Sequence, residues 1–353
     1  MVVNLLELLP EELDDQVVAW GLERYRGRQL AAWIWQKGVT TFEAMSDIPR
    51  AVREFLATRA EVRLPCILEK QAAADGEAVK YLLGLADGNA IECVLMQYRY
   101  GFSLCLSTQV GCRMGCRFCA SAAAGWVRNL TAGEMAGQVL AIRRDTGADI
   151  RRIVLMGIGE PLDNFAATCK FLRMATAPRG LGISPRRITL STCGLVPRIY
   201  DLANEGLPVT LAVSLHAPDD RLRDFLVPIN RRYPLRELLA ACRAYAASTG
   251  RRVTFEYALV AGVNDSVGHA RQLANLVRGM PSHVNLIRLN RVEGRDFIAP
   301  GPRRVAVFRR ILEQEGIAVT VRRELGASVN AACGQLRRRF AARKPLEESV
   351  ARG

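Results

Sequence analysis

Between residues 103 and 322 short apolar runs alternate with amphipathic helical stretches, and that alternation restricts the chain to a largely parallel sheet with right-handed helical crossovers. The apolar runs fall at 103–109, 152–157, 187–191, 209–214, 253–260, 284–289 and 318–322, with helical stretches such as 131–144 and 235–248 between them. Thr131-Ala-Gly-Glu134 reads as a capping box opening the first of these helices. The expected fold class is α/β, a sheet closed or partly closed into a barrel, with functional groups at the carboxyl ends of its strands.

Two regions precede this core. Residues 1–65 read as a small helical domain: a first turn at 5–9, a segment through Val17, Val18 and Leu22, a helix at 29–37 holding Leu30, Trp33 and Ile34, and another at 49–58. Tryptophans at helical spacing are usually core, so Trp20 and Trp33 are expected inside. Arg24, Arg26, Arg28 and Lys37 near the turns suit RNA docking. Residues 66–100 read as strands joined by turns at Asp75-Gly76 and Asp87-Gly88-Asn89, a β-hairpin extension leading into the core. Glu92 lies there among apolar neighbours, where a carboxylate is costly without a partner or a task. The core is expected to span 101–336, and residues 337–353 to form a basic tail.

The chain of 353 residues carries 49 Lys+Arg against 35 Asp+Glu, a net +14 that attracts polyanions such as RNA. Only five of those bases are lysines, and arginine suits phosphate forks and base stacking. Ten cysteines without a secretory leader point to a reducing compartment. No apolar stretch reaches the roughly 18–20 residues that span a bilayer, so the expectation is a cytoplasmic protein that uses no membrane.

Cys112, Cys116 and Cys119 stand within eight residues in GCRMGCRFCA. Three thiolates hold three corners of a 4Fe-4S cube and leave one iron open to another ligand. A structural zinc site needs a fourth ligand, and no second pair or nearby histidine supplies it in sequence. Gly157-Ile-Gly159-Glu160-Pro161 follows the second apolar run, Ser191-Thr192-Cys193-Gly194 the third, and Ser214-Leu215-His216-Ala217 the fourth; Asn290 follows the sixth. Glycines there admit a ligand close to the backbone, and the polar groups suit an ammonium, a ribose or an adenine edge. Cys105 lies seven residues before Cys112, and Cys333 sits in AACGQL among small residues that suit a loop moving close to a reactive carbon. Cys66, Cys93, Cys169, Cys193 and Cys242 read as inert thiols.

Taken in order, QVGCRMGCRFCA, RNLTAGE, MGIGEPLDN, LSTCG, VSLHAP, INR, FEYALVAGVND, VNLIRLN and AACGQL resemble the RlmN/Cfr family of radical S-adenosylmethionine RNA adenine methyltransferases. The resemblance runs from YRGRQLAAWIW through Leu336. It implies a (βα)6 partial TIM barrel behind a small N-terminal helical accessory domain, and an enzyme that methylates C2 of an adenosine in RNA through an S-methylcysteine intermediate. The family's substrates are the peptidyl-transferase adenosine of 23S rRNA and, in many members, the tRNA adenosine 3′ of the anticodon.

Carried over by motif, Cys112, Cys116 and Cys119 would hold the 4Fe-4S cluster. Gly159, Glu160, Ser191, Ser214, Leu215, His216 and Asn290 would surround S-adenosylmethionine. Cys333 would carry the methyl group, Cys105 would resolve the adduct through a disulfide, and Glu92 would take the adenine proton. The resemblance further implies two S-adenosylmethionine molecules per turnover, one as methyl donor and one as radical source, an electron donor such as flavodoxin or ferredoxin, and a monomer. Adenine C2 is electron-poor and does not attack a methyl sulfonium as an oxygen or ring nitrogen would, which gives a chemical reason for a radical route. The chain departs from the family pattern at Ser328 and at Arg288. Alternatives are C8 methylation of the same rRNA base, another radical enzyme such as a glycyl-radical activase, and a non-catalytic iron-sulfur or zinc RNA-binding protein.

Overall fold

The computed structural model describes residues 2–123, 125–290, 294, 296–322, 336, 337 and 340. Its N-terminal segment is helical because its apolar residues recur every three to four positions. α1 (Pro10–Ala19) begins on a proline, whose missing N–H has no helical partner to lose there. α2 (Tyr25–Ala31) runs directly into a π turn at Ala32–Gln36, and α3 (Arg50–Ala57) follows. A Cβ on Gly27 would lie 2.5 Å from the Cα of Asp14, so glycine is what lets α2 cross α1 this closely. Two short strands, β1 (Val3–Asn4) and β2 (Ala60–Glu61), pair in parallel and bring the ends of the segment together. Asp14 accepts from the Arg179 guanidinium at 3.0 and 3.1 Å, tying the segment to the rest of the molecule.

The tryptophan expectation is corrected here. Trp35 is the buried one, at 1% exposure, whereas Trp20 and Trp33 are half-buried and pack against the edge of the core. A π turn takes one residue more per turn than the α-helix and rotates the face that follows, which turns Trp35 inward. Trp33 donates to Asp47 Oδ1 at 2.5 Å and lies under the Lys37 ammonium.

The main sheet has ten strands. An antiparallel meander opens it: β3 (Cys66–Ala72), β4 (Ala78–Gly84), β5 (Ala90–Tyr98) and β6 (Gly101–Cys105). Both expected turns are present, with Gly76 and Gly88 at positive φ. β4 and β5 do not alternate between buried and exposed as a one-sided strand would, because both of their faces are covered. From β6 onward neighbours are parallel: β6, then β9 (Ile150–Leu155), β10 (Ile188–Thr192), β11 (Thr210–Ser214), β12 (Val253–Leu259), β13 (Ser282–Arg288) and the short β14 (Val319–Val321). A separate antiparallel pair, β7 (Gln109–Gly111) and β8 (Trp126–Asn129), lies between β6 and β9 in sequence and flanks the cysteine loop.

Six consecutive parallel strands, β6 and β9 to β13, thus lie side by side in chain order, as the partial-barrel expectation requires. Their connections carry α4 (Ala120–Ala123), α5 (Ala132–Thr146), α6 (Phe165–Thr176), α7 (Val196–Asn204), α8 (Asp220–Leu226), α9 (Leu235–Thr249), α10 (Val267–Val277) and α11 (Pro302–Gln314). The capping box of α5 is real: Glu134 N–H donates to Thr131 Oγ1 at 3.1 Å and Thr131 N–H donates to Glu134 Oε2 at 3.0 Å.

Alternate residues on each strand face opposite ways. Leu104, Ile153, Leu155, Leu190, Leu211, Val213, Phe255, Tyr257, Val284 and Leu286 join the core under the helices. The other face carries Lys80, Glu92, Ser103, Cys105, Ser191, Ser214, Glu256 and Asn285 together with the apolar Val94, Met96 and Val154, so the barrel lumen is mixed, with polar groups set among apolar ones. Among the described residues no helix is long and apolar enough to cross a membrane.

Candidate active site

The cysteine loop hangs between β7 and α4 at the carboxyl end of β6. Gly115 turns it at φ +74° and Cys119 N–H closes a turn on the Cys116 carbonyl at 3.2 Å. Its underside rests on α8: Arg117 N–H donates to the Leu226 carbonyl at 3.0 Å, while Met114, Cys116 and Phe118 pack with Leu226, Val227 and Ile229. On the other flank Arg113 forks onto both oxygens of Asp163, at 2.6 and 2.8 Å.

Cys112, Cys116 and Cys119 are near enough to act on one another electrostatically. Burial, with Cys119 among the neighbours adding to it, pushes the Cys112 thiol up to about 12, and burial likewise raises Cys116. Among the described residues no three His, Cys, Asp or Glu side chains are gathered into a ready-made metal site. The donor set nevertheless fits an iron-sulfur cube: soft sulfur ligands on one turning loop, whose thiol protons a metal would displace.

Beside this loop, Gly159 has φ +112°, and a Cβ on it would stand 2.7 Å from the Gln109 Cβ. Glycine is therefore required for the 157–161 loop to lie against the root of the cysteine loop. Glu160 is buried; its N–H donates to Gln109 Oε1 at 2.9 Å, and its carboxylate accepts from Leu162 N–H at 3.1 Å and Cys193 N–H at 2.8 Å. Burial pushes the Glu160 carboxyl up despite those hydrogen bonds. Cys193, expected as an inert thiol, is buried as anticipated. It sits at this junction, donating its thiol to Glu160 and close enough to Cys112 and Cys116 to feel their charge.

The ends of β10 and β11 are joined by Arg223, a wholly buried guanidinium on α8. It donates to the carbonyls of Cys193 at 2.6 Å, Ser214 at 3.1 Å and Leu215 at 3.1 Å, and to Asn230 Oδ1 at 2.9 Å. His216 follows at φ 57°, the one described non-glycine residue in the left-handed region. That conformation is pinned on both sides: Leu215 N–H donates to the Glu256 carbonyl at 3.0 Å, and Asn264 Nδ2 donates to the His216 carbonyl at 2.8 Å. His216 Nδ1 accepts from Ala258 N–H at 2.9 Å, which places any ring proton on Nε2. Burial, reinforced by the Arg223 charge, pushes the imidazole down to about 3, so it is neutral at physiological pH. Its ring meets Phe118 of the cysteine loop edge-on at 4.8 Å.

The opposite wall of the lumen comes from the meander. Lys80 on β4, Val94 on β5, Cys105 on β6 and Val154 on β9 are aligned in register across four strands. Glu92 is two residues from Val94 on the same face, toward the mouth, which makes it a diagonal neighbour of Cys105 at about 7–8 Å between backbones. Ser107 Oγ donates to the Glu92 carbonyl at 2.5 Å. The Glu92 carboxylate meets the Lys80 ammonium at 3.0 Å through Oε2, with both side chains buried. Its Oε1 accepts from Arg337 N–H at 2.8 Å.

The structure therefore brings the three loop cysteines, Gly159, Glu160, Leu215 and His216 to one end of the barrel, with Ser191 and Ser214 half-buried on β10 and β11. Asn290 is exposed, two residues beyond β13. Glu92 and Cys105 face the same lumen from the side. Cys333 and Ser328 lie outside the described residues. Three contributors escaped the sequence reading: Lys80, Arg223 and the junction role of Cys193. Arg223 had no visible signal, since DRLRDFL reads as an exposed helix. Lys80 had one, a charged residue inside the apolar run AVKYLLG.

Comparison with known proteins agrees with this geometry. The Radical SAM superfamily matches residues 106–274, and the ribosomal RNA large subunit methyltransferase N-terminal domain matches residues 3–62. A probable dual-specificity RNA methyltransferase RlmN from Pelotomaculum thermopropionicum is 57% identical over 340 residues, covering 96% of this chain and 92% of its own. The protein of the same description from Desulforudis audaxviator is 54% identical, covering 90% of this chain and all of its own. A crystal structure of a radical SAM methyltransferase from Sphaerobacter thermophilus superposes with a TM-score of 0.91 at 47% identity, covering 94% of this chain and 98% of that one. Radical SAM enzymes work with a 4Fe-4S cluster and S-adenosylmethionine. With a helical N-terminal module, an open parallel barrel and a three-cysteine loop at its mouth, the chain belongs to the RlmN family of radical SAM methyltransferases.

Proposed function

We propose that the protein methylates C2 of an adenosine in RNA, with the 23S rRNA peptidyl-transferase adenosine as substrate and the tRNA adenosine 3′ of the anticodon as a second one. The observation that carries this reading is that a carboxylate, Glu92, and a thiol, Cys105, are diagonal neighbours on one lumen wall. Removing a proton from an aromatic carbon and releasing a sulfur-bound intermediate require those two groups. In this reading Cys112, Cys116 and Cys119 hold the 4Fe-4S cluster, while Gly159, Glu160, Ser191, Ser214, Leu215, His216 and Asn290 hold S-adenosylmethionine. When bound, these groups supply the methyl donor and the one-electron cleavage, with two S-adenosylmethionine molecules used per turnover.

The chain's own residues do the rest. Cys333 carries the methyl group on sulfur. Glu92 takes the C2 proton, and Cys105 captures the Cys333 sulfur as a transient disulfide. Neutral His216 donates from Nε2 without bringing a positive charge to the mouth. The buried, aligned lumen wall keeps bulk water from the reacting carbon. Residues 1–65 act as the accessory module that docks RNA, 66–100 as the β extension supplying the base, 101–336 as the catalytic core, and 337–353 as a basic tail. The protein works as a cytoplasmic monomer fed electrons by a flavodoxin or ferredoxin.

The test is anaerobic reconstitution with iron and sulfide, followed by S-adenosylmethionine, reductant and an rRNA fragment. The expected products are 5′-deoxyadenosine and 2-methyladenosine, identified by mass spectrometry of the digested RNA. 8-Methyladenosine would overturn the regiochemistry, and RNA retention without 5′-deoxyadenosine would overturn the activity.

A further inference from the structure

Lys80 is unexposed, inside a chain that uses only five lysines. Taking an ammonium out of water costs several kcal/mol unless a partner offsets it, and its partner is Glu92 Oε2 at 3.0 Å. The two oxygens of that carboxylate are attached to different parts of the molecule. Oε2 belongs to the rigid sheet, since Lys80 and Glu92 stand on adjacent strands of the longest antiparallel ladder in the meander. Oε1 belongs to the C-terminal segment through Arg337 N–H at 2.8 Å. Leu336 packs on Leu82 and Ala90 of the same two strands, and the Arg337 side chain is itself buried. Arg337 is only four residues after Cys333, at most about 14 Å of extended chain.

We propose that Lys80 is the positioning residue of Glu92. It keeps Oε2 on β4 while Oε1 changes partner, from the Arg337 amide between turnovers to the adenine C2 proton during release. The inference rests on the reading of Glu92 as the base. In the proton-transfer step the C2–H bond breaks, the proton passes to Oε1 and the bonding pair stays in the purine. An untethered carboxylate would be free to turn toward the Arg337 amide and would be misplaced when the substrate arrives. A tethered one stays where the substrate arrives.

The experiment is a single-turnover reaction of reconstituted Lys80→Met enzyme with an rRNA fragment, following 5′-deoxyadenosine, covalent protein-RNA adduct and free methylated RNA separately. The expected result is 5′-deoxyadenosine formation within about twofold of wild type, with adduct accumulating and methylated RNA released roughly 10–100-fold more slowly. Lys80→Gln, which keeps a donor near Oε2 on a shorter side chain and is milder for the fold, should show the same split with a smaller factor. Release at the wild-type rate in whichever variant folds overturns the proposal. So does an equal slowing of both steps, which is what a purely structural role produces. Glu92→Gln separates the two levels: if it releases methylated RNA at the wild-type rate, Glu92 is not the base and the parent reading fails whatever Lys80 does.

Discussion

Two buried carboxylates, Glu160 and Glu92, serve one lumen and are held in opposite ways. Glu160 is satisfied by neutral donors, the N–H groups of Leu162 and Cys193, all within loops at the strand ends. Glu92 faces a full charge on Lys80 and an amide from residue 337. The first arrangement welds two loops together and gains nothing from moving. The second joins a fixed strand to a residue 245 positions away in sequence, and the proposed role of Glu92 has one of its bonds exchanged.

That contrast breaks most readily at Glu92. Glu92→Gln should slow release of methylated RNA roughly 100- to 10,000-fold while leaving iron content and 5′-deoxyadenosine formation intact; a parallel loss of iron would mean that Glu92 supports the folded site instead of acting as its base. Glu160→Gln should do the reverse. Its amide would set an NH2 against one of two backbone N–H groups, costing about 1–3 kcal/mol, readable as a lower urea midpoint of the cluster-free protein.

His216 sharpens the scaffold half through pH. An unfolded imidazole titrates near 6.5, and the folded one is held at about 3. Between those values the unfolded chain binds a proton that the native state does not, so this contribution is complete above pH 6.5 and is lost as pH falls toward 3. Between pH 7 and 5 the loss is about 2 kcal/mol. His216→Asn, which tolerates the left-handed backbone, should flatten the stability profile by that amount, and an unchanged slope would place the titration elsewhere. The smallest effect is expected at Arg50, whose i,i+4 pair with Glu54 on α3 is solvent-exposed. Arg50→Ala should change stability by no more than about 0.5 kcal/mol, against which the buried Lys80–Glu92 pair can be gauged in the same urea titration.

What the sequence disclosed was whatever is local. Three cysteines on one turn, the capping box at Thr131 and the glycines at 157 and 159 each act within a few residues, so their spacing carries their chemistry. Six parallel strands were legible because each is a short apolar run bounded by turns, with end errors of one or two residues except at β6, which stops at Cys105, four residues before the expected Gln109. Pairings set by register were not legible. Lys80 and Glu92 are 12 residues apart and meet only because β4 and β5 align Leu82 with Glu92. Arg223 carries the signature of a solvated helix and becomes a buried strut only when α8 is laid beneath the ends of β10 and β11. Trp33, expected inside, is only half-buried because a π turn shifts the helical phase, which a fixed period of 3.6 does not anticipate.

The alignment of Lys80, Val94, Cys105 and Val154 also bears on how the chain reaches its active form. Sliding β5 by a single position against β6 would preserve most of the ladder's hydrogen bonds, yet it would drive Glu92 under the helices and deliver the Cys93 thiol to the lumen in its stead. A carboxylate moved away from Lys80 into the core would lose its buried partner, so the ion pair favours the native register of β5.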